Sequence, residues 1–168
     1  MSLKIIQHFH VHYLQILDKN GTCDEKLKPK LRLNEIKRLY ERMILSRVYD
    51  EHALKLQRQG RLGTFASLLG QEAIHTGSAL AIKDSDWIVP SFRCEGVLIS
   101  KGIPISTILQ VYGGDERGYH VSPNVNITPF YIKVGTQFLH GCGIAYGLKY
   151  KKKQGAFNFK AKWKNKAV

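Results

Sequence analysis

Acidic residues run out partway along this chain. Residues 117–168 hold ten Lys and Arg and not one Asp or Glu, whereas residues 1–116 hold all 13 acids against 16 bases. The net charge of +13 therefore belongs to the C-terminal stretch, and the body, at 16 minus 13, carries only +3. Cysteine is scarce too: Cys23, Cys94 and Cys142 stand far apart with no CxxC, which argues against a disulfide framework or a zinc site and for a reducing compartment. No apolar run approaches the ~18 residues a membrane span needs, and the N-terminus lacks the apolar core of a signal peptide. A cytoplasmic location is the expectation. What the chain does have, 168 residues at 43% hydrophobic content, suffices for one buried core.

The stretch Arg58 to Ala73, RQGRLGTFASLLGQEA, organises the rest. It joins two helical patterns through a short loop in which Gly60, Gly63 and Gly70 let backbone pass close to a ligand or partner. Before it, residues 1–33 read as a strand, a turn and a linker. Phe9 to Leu17 alternates toward the turn residues Asp18-Lys19-Asn20-Gly21, and Lys26 to Leu33 is charged and holds Pro29. His8, His10 and His12 share one face of that strand, but no carboxylate stands nearby and a metal reading is set aside. Asn34 then caps a helix to about Gln57, whose apolar face is read as Ile36, Leu39, Tyr40, Met43, Ile44 and Val48. A second helix, Gly70 to Ile82, shows a small-residue face of Ala73, Ile74, Gly77, Ala81 and Leu80 suited to close packing.

Trp87 to Val89 reads as a short buried strand stopped by Pro90, with Phe92-Arg93 at its end, where α/β folds keep ligands. Ile103-Pro104 opens a helix through Tyr112, and nothing is periodic from Gly113 to Tyr131. Thr136 to Tyr150 is a helix in which Gly141 with Ala145, and Gly143 with Gly147, fall four apart on one face. Glycine costs a helix up to ~1 kcal/mol per residue, so backbone-close packing against another helix, in this chain or across a subunit boundary, is expected in return.

Four ordered stretches carry a resemblance: the Arg58–Ala73 loop, Asp86-Trp87-Ile88-Val89-Pro90-Ser91-Phe92-Arg93, Tyr112-Gly113-Gly114-Asp115-Glu116-Arg117-Gly118, and Val134-Gly135-Thr136-Gln137 leading to Gly147-Leu148-Lys149. From about Leu14 to about Lys153 the chain resembles the alpha subunits of thiamine-diphosphate-dependent 2-oxo acid dehydrogenases, the bacterial pyruvate dehydrogenase type most closely. The resemblance implies an α/β fold, an incomplete N-terminal part of a thiamine-diphosphate-binding domain with a parallel sheet flanked by helices, over residues 34–153. It implies oxidative decarboxylation of pyruvate with transfer of the acetyl group to a lipoyl group. The expected cofactors are thiamine diphosphate and magnesium. The expected partners are a beta subunit, in an alpha2beta2 assembly, and the lipoyl-bearing acyltransferase of the complex.

Residue by residue, the resemblance puts Phe92 and Arg93 on the cofactor, with Arg93 reaching its diphosphate as a planar fork suits; Phe92 replaces a family Tyr. On the residues alone, Arg93 serves equally well in a surface ion pair with Glu95 or Asp86. Ile132 and Val134 match positions contacting the aminopyrimidine, or are core residues. Phe65 and Ser67 match a substrate-facing loop, with Ala66 where mitochondrial members carry His, and Gln137 and His140 are further substrate-facing candidates. The family's Gly-Asp-Gly and later Asn, which bind magnesium and diphosphate, are missing from this sequence, so the chain is expected to be truncated, frameshifted or split and inactive alone.

Two alternatives stand beside this reading. One is a branched-chain 2-oxo acid dehydrogenase alpha subunit. The other is a non-catalytic interaction or nucleic-acid-binding protein using the eight lysines of Lys149 to Lys166 with Phe157, Phe159 and Trp163 among them. Residues 154–168 are expected to be a divergent basic tail, because three lysines cannot line one face of a central parallel strand without burying charge.

Overall fold

A computed structural model of the chain describes residues 4, 6–120, 125–130, 132–152 and 157–158. The chain divides into two compact units, Met1–Leu33 and Asn34–Val168. In the first, the strand expected over Phe9 to Leu17 is not formed. Phe9, Val11 and Tyr13 are exposed, and Leu17 makes only an isolated antiparallel bridge to Cys23. A lone ribbon whose alternate apolar residues stay exposed has too little to hold it extended. The turn itself is present. One carboxylate oxygen of Asp18 accepts from the Asn20 and Thr22 amides at 2.9 and 2.7 Å, and Gly21 takes φ +83°, as an Asx-type turn followed by a left-handed residue requires.

The second unit is mostly helical with little sheet among the described residues. Helix α1, Leu33–Arg58, has no Gly or Pro in its 26 residues, carries Glu35 in its first turn and Lys55 and Arg58 in its last, and ends before Gly60 at φ +71°. After the glycine loop come α2, Glu72–Ala81, and β1, Trp87–Ile88. Two short helices follow: α3, Glu95–Ser100, and α4, Ile105–Tyr112, which begins directly after Pro104. A 3-10 turn, Glu116–Tyr119, leads on toward α5, Thr136–Tyr150. Strand β2, Phe157–Asn158, pairs in parallel with β1, Trp87 opposite Phe157, and Ile88 also bridges to Ile127 in parallel. The basic tail expected from residue 154 otherwise lies outside the described residues. No helix among the described residues is long and apolar enough to cross a membrane.

The core forms where α1, the loop, α3 and α4 meet, around Leu68, Ile99, Ile108 and Tyr112. Helices α2 and α3 touch so closely that a Cβ on Gly96 would lie 2.8 Å from His75 Nδ1, a contact no larger residue allows.

Two helix faces differ from the sequence pattern. Helix α1 buries Ser46, Tyr49, Asp50 and Ala53 and leaves Ile36, Tyr40, Ile44 and Val48 exposed. Helix α2 buries Glu72, His75, Thr76 and Ala79, while Ala73, Ile74, Leu80 and Ala81 are exposed. One residue on each buried face bonds to the loop between the helices, Asp50 to Ser67 and Leu68 and Glu72 to the Gly70 amide. In α5, Gly143 and Gly147 meet nothing within 4 Å of a Cβ built on them, whereas Gly141 is buried.

Candidate functional site

Asp50 sits on the buried face of α1 and reaches the glycine loop. It accepts from the Ser67 hydroxyl at 2.6 Å and from the Leu68 amide at 2.7 Å. Those two bonds fix the middle of the loop. Its beginning is tied to the end of α4 by the Gly63 amide, which donates to the Tyr112 carbonyl at 2.8 Å. Its end is tied to α1, since Glu72 accepts from the Gly70 amide at 3.2 Å and from Arg47 at 2.6 Å. Glycine at these places lets the loop follow the protein surface closely enough to make such bonds.

Held this way, the loop inserts Phe65 between two tyrosines. Its ring stands edge-on to Tyr49 at 6.1 Å and to Tyr112 at 5.2 Å, and Tyr112 packs on Phe130 at 5.4 Å. The Tyr112 hydroxyl passes through this aromatic wall to the turn after β1. There it lies 2.8 Å from the Phe92 carbonyl oxygen and is hydrogen-bonded to the Glu95 carboxyl. Burial pushes the Glu95 carboxyl up to about 8, against the pull of the Tyr112 hydrogen bond, with Asp50 adding to the rise. Burial first, and then the neighbouring Glu95, raises the Tyr49 and Tyr112 phenols as well.

Arg93 lies beside this network, half-buried, its guanidinium 5.7 Å from the centre of the Phe92 ring. It forms no ion pair with Glu95 or Asp86, and its Nε is buried with no acceptor among the described residues. A cleft of about 290 Å³ opens between α2, the end of β1 and the start of α5, lined by His75, Val89, Ser91, Cys94, Gln137 and Phe138 among others; Arg93 follows Ser91 and precedes Cys94 in the chain but is not itself in the lining.

The site residues expected from sequence thus fall into groups. Phe92, Arg93, Phe65 and Ser67 belong to one connected region, in which Phe65 and Ser67 pack and bond into the interior. Gln137 is buried on the cleft wall, whereas His140 is exposed on α5. Ile132 and Val134 are 52% and 81% exposed, so neither is a core residue. Tyr49, Asp50, Glu95 and Tyr112 were missed by sequence reasoning. Glu95 had a signal: it is an acid leading directly into the apolar run Gly96-Val97-Leu98-Ile99, where an unpaired charge is costly.

The profile of the dehydrogenase E1 component family matches residues 40–159, a span that contains the whole of this network and the cleft. The chain belongs to that family. Among its relatives, the pyruvate dehydrogenase E1 component subunit alpha of Mycoplasma genitalium is 33% identical over 139 residues, which is 82% of this chain and 39% of that protein. The protein of the same name from Staphylococcus aureus is 35% identical over 137 residues, 81% of this chain and 37% of that one, and the one from Staphylococcus epidermidis matches to the same extent. The chain therefore spans about two fifths of the length of these E1 relatives.

Proposed function

We propose that this chain works as part of a pyruvate dehydrogenase alpha subunit, in the oxidative decarboxylation of pyruvate with acetyl transfer to a lipoyl group. It would act with a beta subunit and the lipoyl-bearing acyltransferase, in the cytoplasm. The parallel β1–β2 pair would then be one edge of the family's parallel sheet. The observation that carries the reading is Arg93: a half-buried guanidinium, on the turn whose Ser91 and Cys94 line a cleft, with an Nε–H that no described group accepts. Such a group fits an anion, and a diphosphate offers the oxygens its planar fork can bind in pairs.

Thiamine diphosphate, when bound, supplies the electron sink for breaking the bond between the carbonyl and carboxyl carbons of a 2-oxo acid. This chain's residues would do the holding. Arg93 would bind the diphosphate and Phe92 pack beside it. Gln137, on the cleft wall, offers an amide donor and acceptor to substrate. Phe65 and Ser67 would act by keeping the glycine loop in place, with His140, Ile132 and Val134 available at the surface to a beta subunit or the cofactor's ring. Magnesium does not fit the residues at hand. Among the described residues no group of three His, Cys, Asp or Glu could hold a metal ion, and no acid follows Glu116.

The test is a calorimetric titration of thiamine diphosphate into a full-length alpha subunit that contains this segment, combined with its beta subunit. Replacing Arg93 by Ala is expected to weaken binding roughly ten- to hundred-fold, the value of a charge-assisted hydrogen bond of about 1.5–3 kcal/mol. Unchanged affinity in a folded variant overturns the assignment.

A further inference from the structure

The hydroxyl of Tyr112 stands between two acceptors, the Phe92 carbonyl at 2.8 Å and a carboxyl oxygen of Glu95. A phenol has one proton to donate. Were Glu95 ionised, it would take that proton as the stronger acceptor, and the Phe92 carbonyl would lose its donor. With a proton on Glu95 the bonds run in series: Glu95 donates to the Tyr112 oxygen, and Tyr112 donates to the Phe92 carbonyl.

The surroundings choose between these states. Glu95 is 1% exposed, and its other carboxyl oxygen has no hydrogen-bond partner among the described residues. An ionised carboxylate would thus keep one buried oxygen with no donor, whatever Tyr112 and the Glu95 amide give the other. Asp50 and Tyr49 face it from α1, Tyr112 from α4, and Arg93 and Cys94 from the preceding turn, while His75 of α2 lies against the adjoining Gly96. Of the charged neighbours, Asp50 opposes a second negative charge and Arg93 favours it. Burial outweighs both.

We propose that Glu95 is a positioning residue for the Phe92–Arg93 segment: as a neutral acid it extends a hydrogen bond through Tyr112 to the Phe92 carbonyl, and its ionisation releases that carbonyl. The Phe92 carbonyl belongs to the peptide group from which Arg93 departs, so the chain of bonds fixes the plane that aims the guanidinium. Its bearing on a cofactor rests on the reading of Arg93 given above; the hydrogen-bond chain does not.

Phe92 is the only phenylalanine followed by arginine in the sequence. Labelling phenylalanine carbonyl carbons and arginine nitrogens therefore isolates one carbonyl resonance by NMR. In the parent chain that resonance is expected to move between about pH 5 and about pH 10 with a midpoint near 8. In Glu95→Gln, which keeps a neutral donor in place, it is expected to stay at the parent's low-pH position throughout. In Tyr112→Phe it is expected to lose its pH response and shift to the position of a carbonyl without that donor.

Melting curves give an independent readout. The folded chain keeps a proton that the unfolded chain releases above its ordinary value of 4.5, so this contribution is full below that pH and is lost as pH rises through about 8. The parent's Tm should fall relative to Glu95→Gln across that window. A parent resonance that does not move, or one that moves identically in Glu95→Gln, overturns the proposal. Failure of the cofactor reading would look different, with Arg93→Ala retaining affinity while the titration at Phe92 persists.

Discussion

Helix α4 buries Ile108 and Tyr112 and packs Ile105, Leu109 and Val111 beside them, while α1 leaves Ile36, Tyr40, Ile44 and Val48 at 44–63% exposure and turns Ser46, Tyr49, Asp50 and Ala53 inward. Both helices serve the same core. The difference lies in what each meets. Helix α4 is short and the side chains it turns inward, Ile108 and Tyr112 with Ile105, Leu109 and Val111 beside them, are apolar or aromatic, so removing area from water decides its orientation. Helix α1 faces a glycine loop whose amides and hydroxyl need acceptors, and a buried unpaired donor costs as much as a methylene or two gains. A carboxylate that satisfies two donors at once therefore outcompetes an apolar stripe for the inward side.

The largest break in this comparison is expected at its apolar end. Ile108 is 1% exposed in a close-packed core, and Ile108→Ala removes buried methyl groups and leaves a cavity. A loss of about 3 kcal/mol in urea unfolding is expected. Asp50→Ala, at the polar end, strands the Leu68 amide and the Ser67 hydroxyl, each now bonded to Asp50 within 2.7 Å. A loss of about 2 kcal/mol follows, with faster hydrogen exchange at Leu68. If Asp50→Ala were neutral while Ile108→Ala behaved as expected, the loop would not be choosing the face of α1.

The same distinction explains what was legible in the sequence. The bounds of α5, the start of the α4 helix after Pro104, the strand at Trp87 and the turn at Asp18 to Gly21 follow from local signals: periodicity, a proline, and residues that accept positive φ. The faces of α1 and α2 do not, because they are set by partners distant in sequence, such as Ser67 for Asp50 and Arg47 for Glu72. The site divides likewise. Arg93 was legible as a motif residue, but Tyr112 lies 20 residues from the Phe92 carbonyl it holds, and only the fold brings them together.

The smallest effect is expected on the stripe that periodicity singled out. Val48 is 44% exposed on α1 and makes no part of the core cluster. In Val48→Ser the two residues have similar helix propensities, so backbone preference does not mask the result. What remains is the area Val48 removes from water. Since nearly half the side chain is already wet, unfolding should change by no more than about 0.5 kcal/mol. Asp50→Ala, two residues further on and on the opposite side, should cost several times that. A loss at Val48 as large as at Asp50 would mean the exposed stripe is covered in solution. Because cover by a second copy depends on concentration, repeating the melt over a range of protein concentrations would then distinguish self-association from an error in the face of α1.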